Sequence, residues 1–175
     1  HGNTSSRVMR NKTLEMAEDG DKSLIVFDQP RDIKGTALLT FAHKTNDDQW
    51  LYLPALKRVK RISSSNKSGP FMGSEFAYED IGSEEIEKYT YKYLRDEKYR
   101  DADCYVIECY PVDKRSGYSK QIVWLHKQHL KILKTQYYDR KKQHLKSLTF
   151  NDYKVFLEKH WRPGNLHMIN HINGK

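Results

Sequence analysis

Eight histidines, two cysteines and a scatter of acids are the groups in this chain that could do chemistry. The histidines stand at positions 1, 43, 126, 129, 144, 160, 167 and 171, most of them alone in polar surroundings. His126 and His129 bracket what reads as a hairpin turn, and the spacing of His167 and His171 puts both on one face of a last strand. A metal centre needs carboxylates or thiolates at matching positions, and neither pair has them, so no metal site is expected. Cys104 and Cys109 lie in one strand-like run at odd spacing, which points them to opposite faces. They are expected as free, buried thiols.

Hydrolysis has no better foundation. Asp47, Asp48, Glu75, Asp80, Glu84 and Glu85 are the acids available for pairing, yet nothing sets two of them across a cleft. No serine occupies a nucleophile elbow, and no glycine-rich phosphate cradle occurs. The expectation is a protein that is not an enzyme and carries no cofactor. The acids at 47 and 48 open the stretch DDQWLYLPALKRVKRI, which closes on Lys57, Arg58, Lys60 and Arg61. Here the aspartates read as a turn, and Pro54 ends a strand because it has no N–H to give a ladder. The four cations then form a basic strand, expected at a rim where they meet lipid phosphates, an acidic protein or only water.

The elements that must position these groups are short and numerous. The 175 residues fit one domain spanning 1–175. Lys plus Arg outnumber Asp plus Glu by 31 to 23, a net charge of +8 that draws anionic partners at low salt. These charges are dispersed, as on a solvated face. No apolar run approaches the roughly 18 residues of a membrane span. Segments 7–17 and 23–30 read as one hairpin, and 35–44 with 49–54 as a second. Strand-like runs follow at 57–63, 84–99, 102–113, 118–127, 130–139, 144–156 and 165–175, separated by turn residues. One short helix is expected near 74–81, opened by Ser74. Many evenly spaced strands joined by tight turns predict an antiparallel meander that curls into a barrel or half-barrel.

Several strands are apolar on both faces: Leu38 with Leu39, Trp50 and Tyr52 against Leu51 and Leu53, Ile122 and Trp124 against Val123 and Leu125. Strands buried on both sides need cover on both sides, and one short helix supplies little. The pattern therefore admits a closed, packed barrel or an open sheet that lines an apolar ligand groove. The candidate groove residues are Leu39, Phe41, Trp50, Tyr52, Phe71, Met72, Phe76, Ile122 and Trp124. Interleaved Tyr and Lys in YTYKYLRDEKYR would suit base stacking, but flanking acids would repel a phosphate backbone. A single-stranded nucleic-acid binder is thus the runner-up, and no nucleic-acid partner is expected.

The blocks FDQPRDIKGTALLTF, DDQWLYLPALKRVKRIS and GPFMGSEFAYEDI, with the later WLHKQHLKILKTQYYDRKKQHLKSLTFNDY and HWRPGNLHMIN, resemble the outer-membrane lipoprotein-sorting-protein-like (LolA-like) family of bacterial envelope proteins. The resemblance covers nearly the whole chain. It implies a mainly β fold, an incomplete, open antiparallel β-barrel of the lipoprotein-carrier type with one or few short helices on its concave side. It also implies a periplasmic, monomeric, non-catalytic carrier for acyl chains of lipoproteins or other lipids, serving an envelope transporter or outer-membrane acceptor and touching membranes peripherally. Members of the family begin with a signal peptide, a helix and a first strand, and this chain is expected to lack them, starting within a turn at His1-Gly2-Asn3. A protein-interaction module without lipid is the alternative.

Overall fold

The computed structural model describes residues 5–17, 20–82, 85–158 and 160–174; His1, the His1-Gly2-Asn3 turn and Glu84 lie outside them. The chain divides into two compact units, His1–Gly69 with Tyr78–Lys88, and Pro70–Ala77 with Tyr89–Lys175.

In the first unit, β1 (Val8–Leu14), β2 (Lys22–Gln29), β3 (Ala37–Phe41), β4 (Asp48–Leu53) and β5 (Arg58–Ile62) form an antiparallel sheet in chain order. Alternation decides which side is covered. Ile25, Phe27, Leu38, Thr40, Gln49, Leu51 and Ile62 are buried on one face, with Phe27 and Leu38 each 1% exposed. Burial of a side chain of that size stabilises the fold by about 1.5–3 kcal/mol. The Gln49 amide donates to Thr40 Oγ1 at 3.3 Å and to the Tyr78 carbonyl at 3.0 Å, so the 78–80 turn is tied to this face. Pro54 ends β4 as its chemistry requires. A 3₁₀ turn over Pro54–Leu56 and a left-handed Lys57 (φ 48°) then send the chain back as β5.

The second unit holds β6 (Tyr89–Tyr99), β7 (Ala102–Pro111), β8 (Tyr118–His126), β9 (Ile132–Asp139), β10 (His144–Asn151), β11 (Lys154–Phe156), β12 (His160–Arg162) and β13 (Asn165–Asn170). Its main sheet runs β13-β10-β9-β8-β7-β6, while β11 and β12 make a separate hairpin. Neither main sheet closes on itself: β1 and β5 are the edges of the first, β13 and β6 of the second. Both faces of the second sheet carry packed clusters. Cys104, Val106 and Trp124 are buried on one. Tyr118, Tyr137 and Leu148 are buried together in a second cluster, against which Phe76 packs. Cys104 and Cys109 are free, buried and, from their register, on opposite faces.

The expected helix near 74–81 is not formed. Among the described residues the helical turns are 3₁₀ segments at Pro54–Leu56, Phe71–Gly73, Tyr78–Asp80 and Ile86–Lys88. The Ser74 hydroxyl donates back to the Phe71 carbonyl at 2.7 Å and accepts the Phe76 N–H at 3.3 Å. Such local bonds offer the backbone an alternative to a helix, and a bridge pairs Pro70 with Ala77 instead. No helix among the described residues is long and apolar enough to cross a membrane.

Candidate apolar faces and their comparison with known proteins

The candidate groove residues separate by unit. Leu39, Phe41, Trp50 and Tyr52 belong to the first sheet, on the face opposite its core. Cross-strand register aligns Leu24, Leu39, Trp50 and Arg61 in one row, and Val26, Ala37, Tyr52 and Val59 in the next. Leu24, Val26, Leu39, Phe41 and Trp50 are half-buried, and Tyr52 is exposed. Phe41 meets Trp50 edge-on at 5.3 Å between ring centres, and the Lys22 ammonium lies 4.7 Å from the Phe41 ring. The face is an apolar strip with cations along it.

Lys57, Arg58, Lys60 and Arg61 are all exposed, and β5 is an edge strand. Alternation splits them: Arg61 stands with Trp50, whereas Arg58 and Lys60 stand with Leu53 and Leu51. Arg61 pairs with Asp48, and its hydrogen bond holds the Asp48 carboxyl below the usual carboxylate range. The two aspartates thus do different work. Asp48 is already in β4, while Asp47 accepts the His43 N–H at 3.2 Å and pairs with Lys88 at 2.7 Å.

Phe71, Met72, Phe76, Ile122 and Trp124 belong to the second unit. Phe71 is buried within a 3₁₀ turn whose Met72 is left-handed. Phe76 packs against the cluster of Tyr118, Tyr137 and Leu148. Trp124 is 5% exposed, with Ile122, Leu94, Tyr99 and Leu133 packed around its cluster. Its indole N–H donates to Glu97 Oε1 at 2.9 Å, and the Lys134 ammonium lies 4.6 Å from its ring. That indole bond, with Arg95 next, holds the Glu97 carboxyl low.

The histidines regroup. His171 does not share the last strand with His167, because β13 ends at Asn170. Its Nε2 lies 2.9 Å from Ser147 Oγ, whose other neighbour is His144 Nε2 at 3.0 Å. Burial, and then the charge of His171, pushes the His144 imidazole below its ordinary pKa. Sequence reading missed this cluster, since nothing in the spacing of residues 144, 147 and 171 announces it. Among the described residues no group of three or more potential metal ligands stands together.

A family model described as uncharacterized-protein-like matches residues 19–175. No match exists among curated proteins. Among solved structures, a chain from Vibrio parahaemolyticus described as an outer membrane lipoprotein-sorting protein domain is 60% identical, with a TM-score of 0.96 over 97% of this chain and 73% of that one. A DUF1329 family protein from Desulfovibrio piger is 33% identical, with a TM-score of 0.91 over 96% and 72%. A LolA superfamily protein from Nitrosomonas europaea shares the fold at 23% identity, with a TM-score of 0.70 over 93% and 75%. The unclosed antiparallel sheets are the open β-architecture of the lipoprotein-carrier type. The chain belongs to the LolA-like, outer-membrane lipoprotein-sorting-protein-like family.

Proposed function

We propose that the protein is a periplasmic, non-catalytic carrier that binds acyl chains of lipoproteins or other lipids and passes them to an envelope transporter or outer-membrane acceptor. The observation that carries this reading is the half-buried strip of Leu24, Leu39, Phe41 and Trp50, in register across three strands on the side of the first sheet away from its core. Apolar side chains aligned in this way offer a surface that an acyl chain can cover, at about 0.8 kcal/mol per buried methylene. On the second unit, taken by itself, Phe71, Met72, Phe76, Ile122 and Trp124 are proposed as further apolar positions for lipid. The likeness to the Vibrio parahaemolyticus outer membrane lipoprotein-sorting protein domain supports the same direction.

No covalent step is needed. Delivery follows from differential affinity: the carrier must hold lipid more tightly than its donor and less tightly than the next site. Mass spectrometry of the protein purified gently from a Gram-negative periplasm, native and then after organic extraction, tests the reading. Stoichiometric lipid or lipoprotein is the expected result. A clean mass for the protein alone, in a preparation where the donor lipids are abundant, overturns it in favour of a protein-interaction module.

A further inference from the structure

A hollow of about 320 Å³ opens within the second unit, walled by the β8–β9 turn, the end of β10 and the β11–β12 hairpin. Tyr153 and Trp161 supply its aromatic walls. The Lys131 ammonium stands 3.9 Å from the Trp161 ring centre and 4.7 Å from that of Tyr153. The His129 ring lies 4.8 Å from Trp161, and His160 and Arg162 flank Trp161 in β12 and complete the basic lining.

Two features set this hollow apart from an ordinary solvated charge run. Among the described residues, no aspartate or glutamate lines it and no ion pair engages Lys131 or Arg162. The positive field also registers nearby: burial first, then the charges of His129 and Lys131, holds the His126 imidazole below its ordinary pKa. The turns that assemble the wall keep Leu130, Leu157 and Glu158 in the left-handed region (φ 47°, 49° and 60°). For a residue with a β-carbon that conformation costs about 1–2 kcal/mol.

Lys131, Arg162, His129 and His160 all line the hollow, with no carboxylate among its described lining residues, a composition that suits an anion with several acceptor oxygens. Phosphate can accept the guanidinium fork and the ammonium together. Ile132 and Phe150, also in the lining, give an ester stem an apolar wall. We propose that this hollow is a phosphate-binding site, filled by the headgroup phosphate of a lipid or by the free ion. It shares no residue with the apolar strip of the first unit, so it stands or falls independently of the acyl-carrier reading.

The test follows the indole N–H resonance of Trp161 in the full chain, assigned with Trp161→Phe. Inorganic phosphate and dihexanoylphosphatidic acid are titrated separately, against sodium chloride at matched ionic strength. Saturable movement of this resonance is expected, weakened about tenfold or more by Lys131→Gln with Arg162→Gln. Lys34→Gln with Lys141→Gln removes the same charge at two exposed positions elsewhere and should leave the affinity unchanged. Equal affinity for both ligands names the free ion, and tighter binding of phosphatidic acid names the lipid. The resonances of Trp50 and Trp124, unmoved in the variants, report an intact fold. Movement that chloride reproduces, equal weakening by both double substitutions, or a response only to a thymidine octamer overturns the proposal.

Discussion

Glu97 accepts the indole N–H of Trp124 at 2.9 Å because a bulge at Leu94 re-aims the edge strand. Up to Tyr93 the strand pairs Tyr93 with Ile107, and immediately beyond the bulge Arg95 pairs with Val106, the partner of Trp124. The extra residue moves Glu97 to the face that Trp124 occupies. The folded carboxyl titrates below its ordinary range, so its stabilisation is present above that range and is lost as pH falls through the lowered value. Glu97→Gln should therefore lower Tm most near neutrality, and the gap from wild type should close on acidification towards pH ~3. Thermal melts of both proteins across that range check this; a constant gap would show that charge is not involved.

The segment 70–77 is fastened to the second sheet through Glu75. Its carbonyl accepts the Lys146 ammonium at 3.0 Å, and its carboxylate accepts Asn170 Nδ2 at 2.7 Å and Asn173 Nδ2 at 3.3 Å. Glu75→Ala removes only the carboxylate bonds and should cost about 1–3 kcal/mol in urea unfolding. Glu75→Gln, which retains an acceptor oxygen, should cost less. Equal losses would mean that the charge alone matters.

Asp47 and Lys88 pair at 2.7 Å with side chains only 17% and 14% exposed. A β-carbon on Gly82 would collide with the Asp47 carboxylate, so this glycine is needed for close approach. Gly82→Ala and Asp47→Asn should each destabilise the first unit, by about 1–2 kcal/mol. Because both act on one ion pair, the double variant should lose less than the sum, a shortfall that a double-mutant cycle measures.

Leu39→Asp places a charge in the middle of the proposed acyl surface while leaving the buried neighbour Leu38 in place. Bound lipid should be lost from the purified protein with its far-UV circular dichroism unchanged. Trp124→Asp is a poorer probe, because Trp124 lies in a packed cluster and its loss should cost about 3–5 kcal/mol of stability. Changing Lys57, Arg58, Lys60 and Arg61 to Gln should weaken binding to anionic vesicles at low salt, and the difference should vanish near 1 M salt.

His144 lies against His171 at 4.2 Å between ring centres, with Ser147 bonded to both. Its lowered pKa means the fold favours the neutral ring. That preference stabilises the fold above the ordinary value of 6.5 and is lost as pH falls through the lower folded value. Wild-type protein should thus lose more stability than His144→Asn between pH ~7 and 5. Denaturant melts at the two pH values check the sign.

Much of the architecture was legible from local pattern. Period-2 alternation located the strands, and turn residues such as Arg100-Asp101 and the stop at Pro54 located their ends, because these signals depend on backbone chemistry within a few residues. The odd spacing of Cys104 and Cys109 settled their opposite faces for the same reason. The helix expected near 74–81 failed where Ser74 bonded locally, and β12 escaped notice because it is only three residues long. The groups gathered at Ser147 and around Trp161 could not be read at all, since they join residues from separate strands and turns.

The sequence by itself determined the β class, the position of most strands, the family and the two-sided apolar character of several strands, while the division into two main sheets and the pairing of β13 with β10 came from the tertiary structure. Only the tertiary structure decided that Trp50 joins Leu24 and Leu39 in one strip, that Leu94 bulges to bring Glu97 to Trp124, and that Lys131 rests on Trp161. The reason is register: a slip of one residue in a strand pair reverses every side chain, and long-range pairing sets that register.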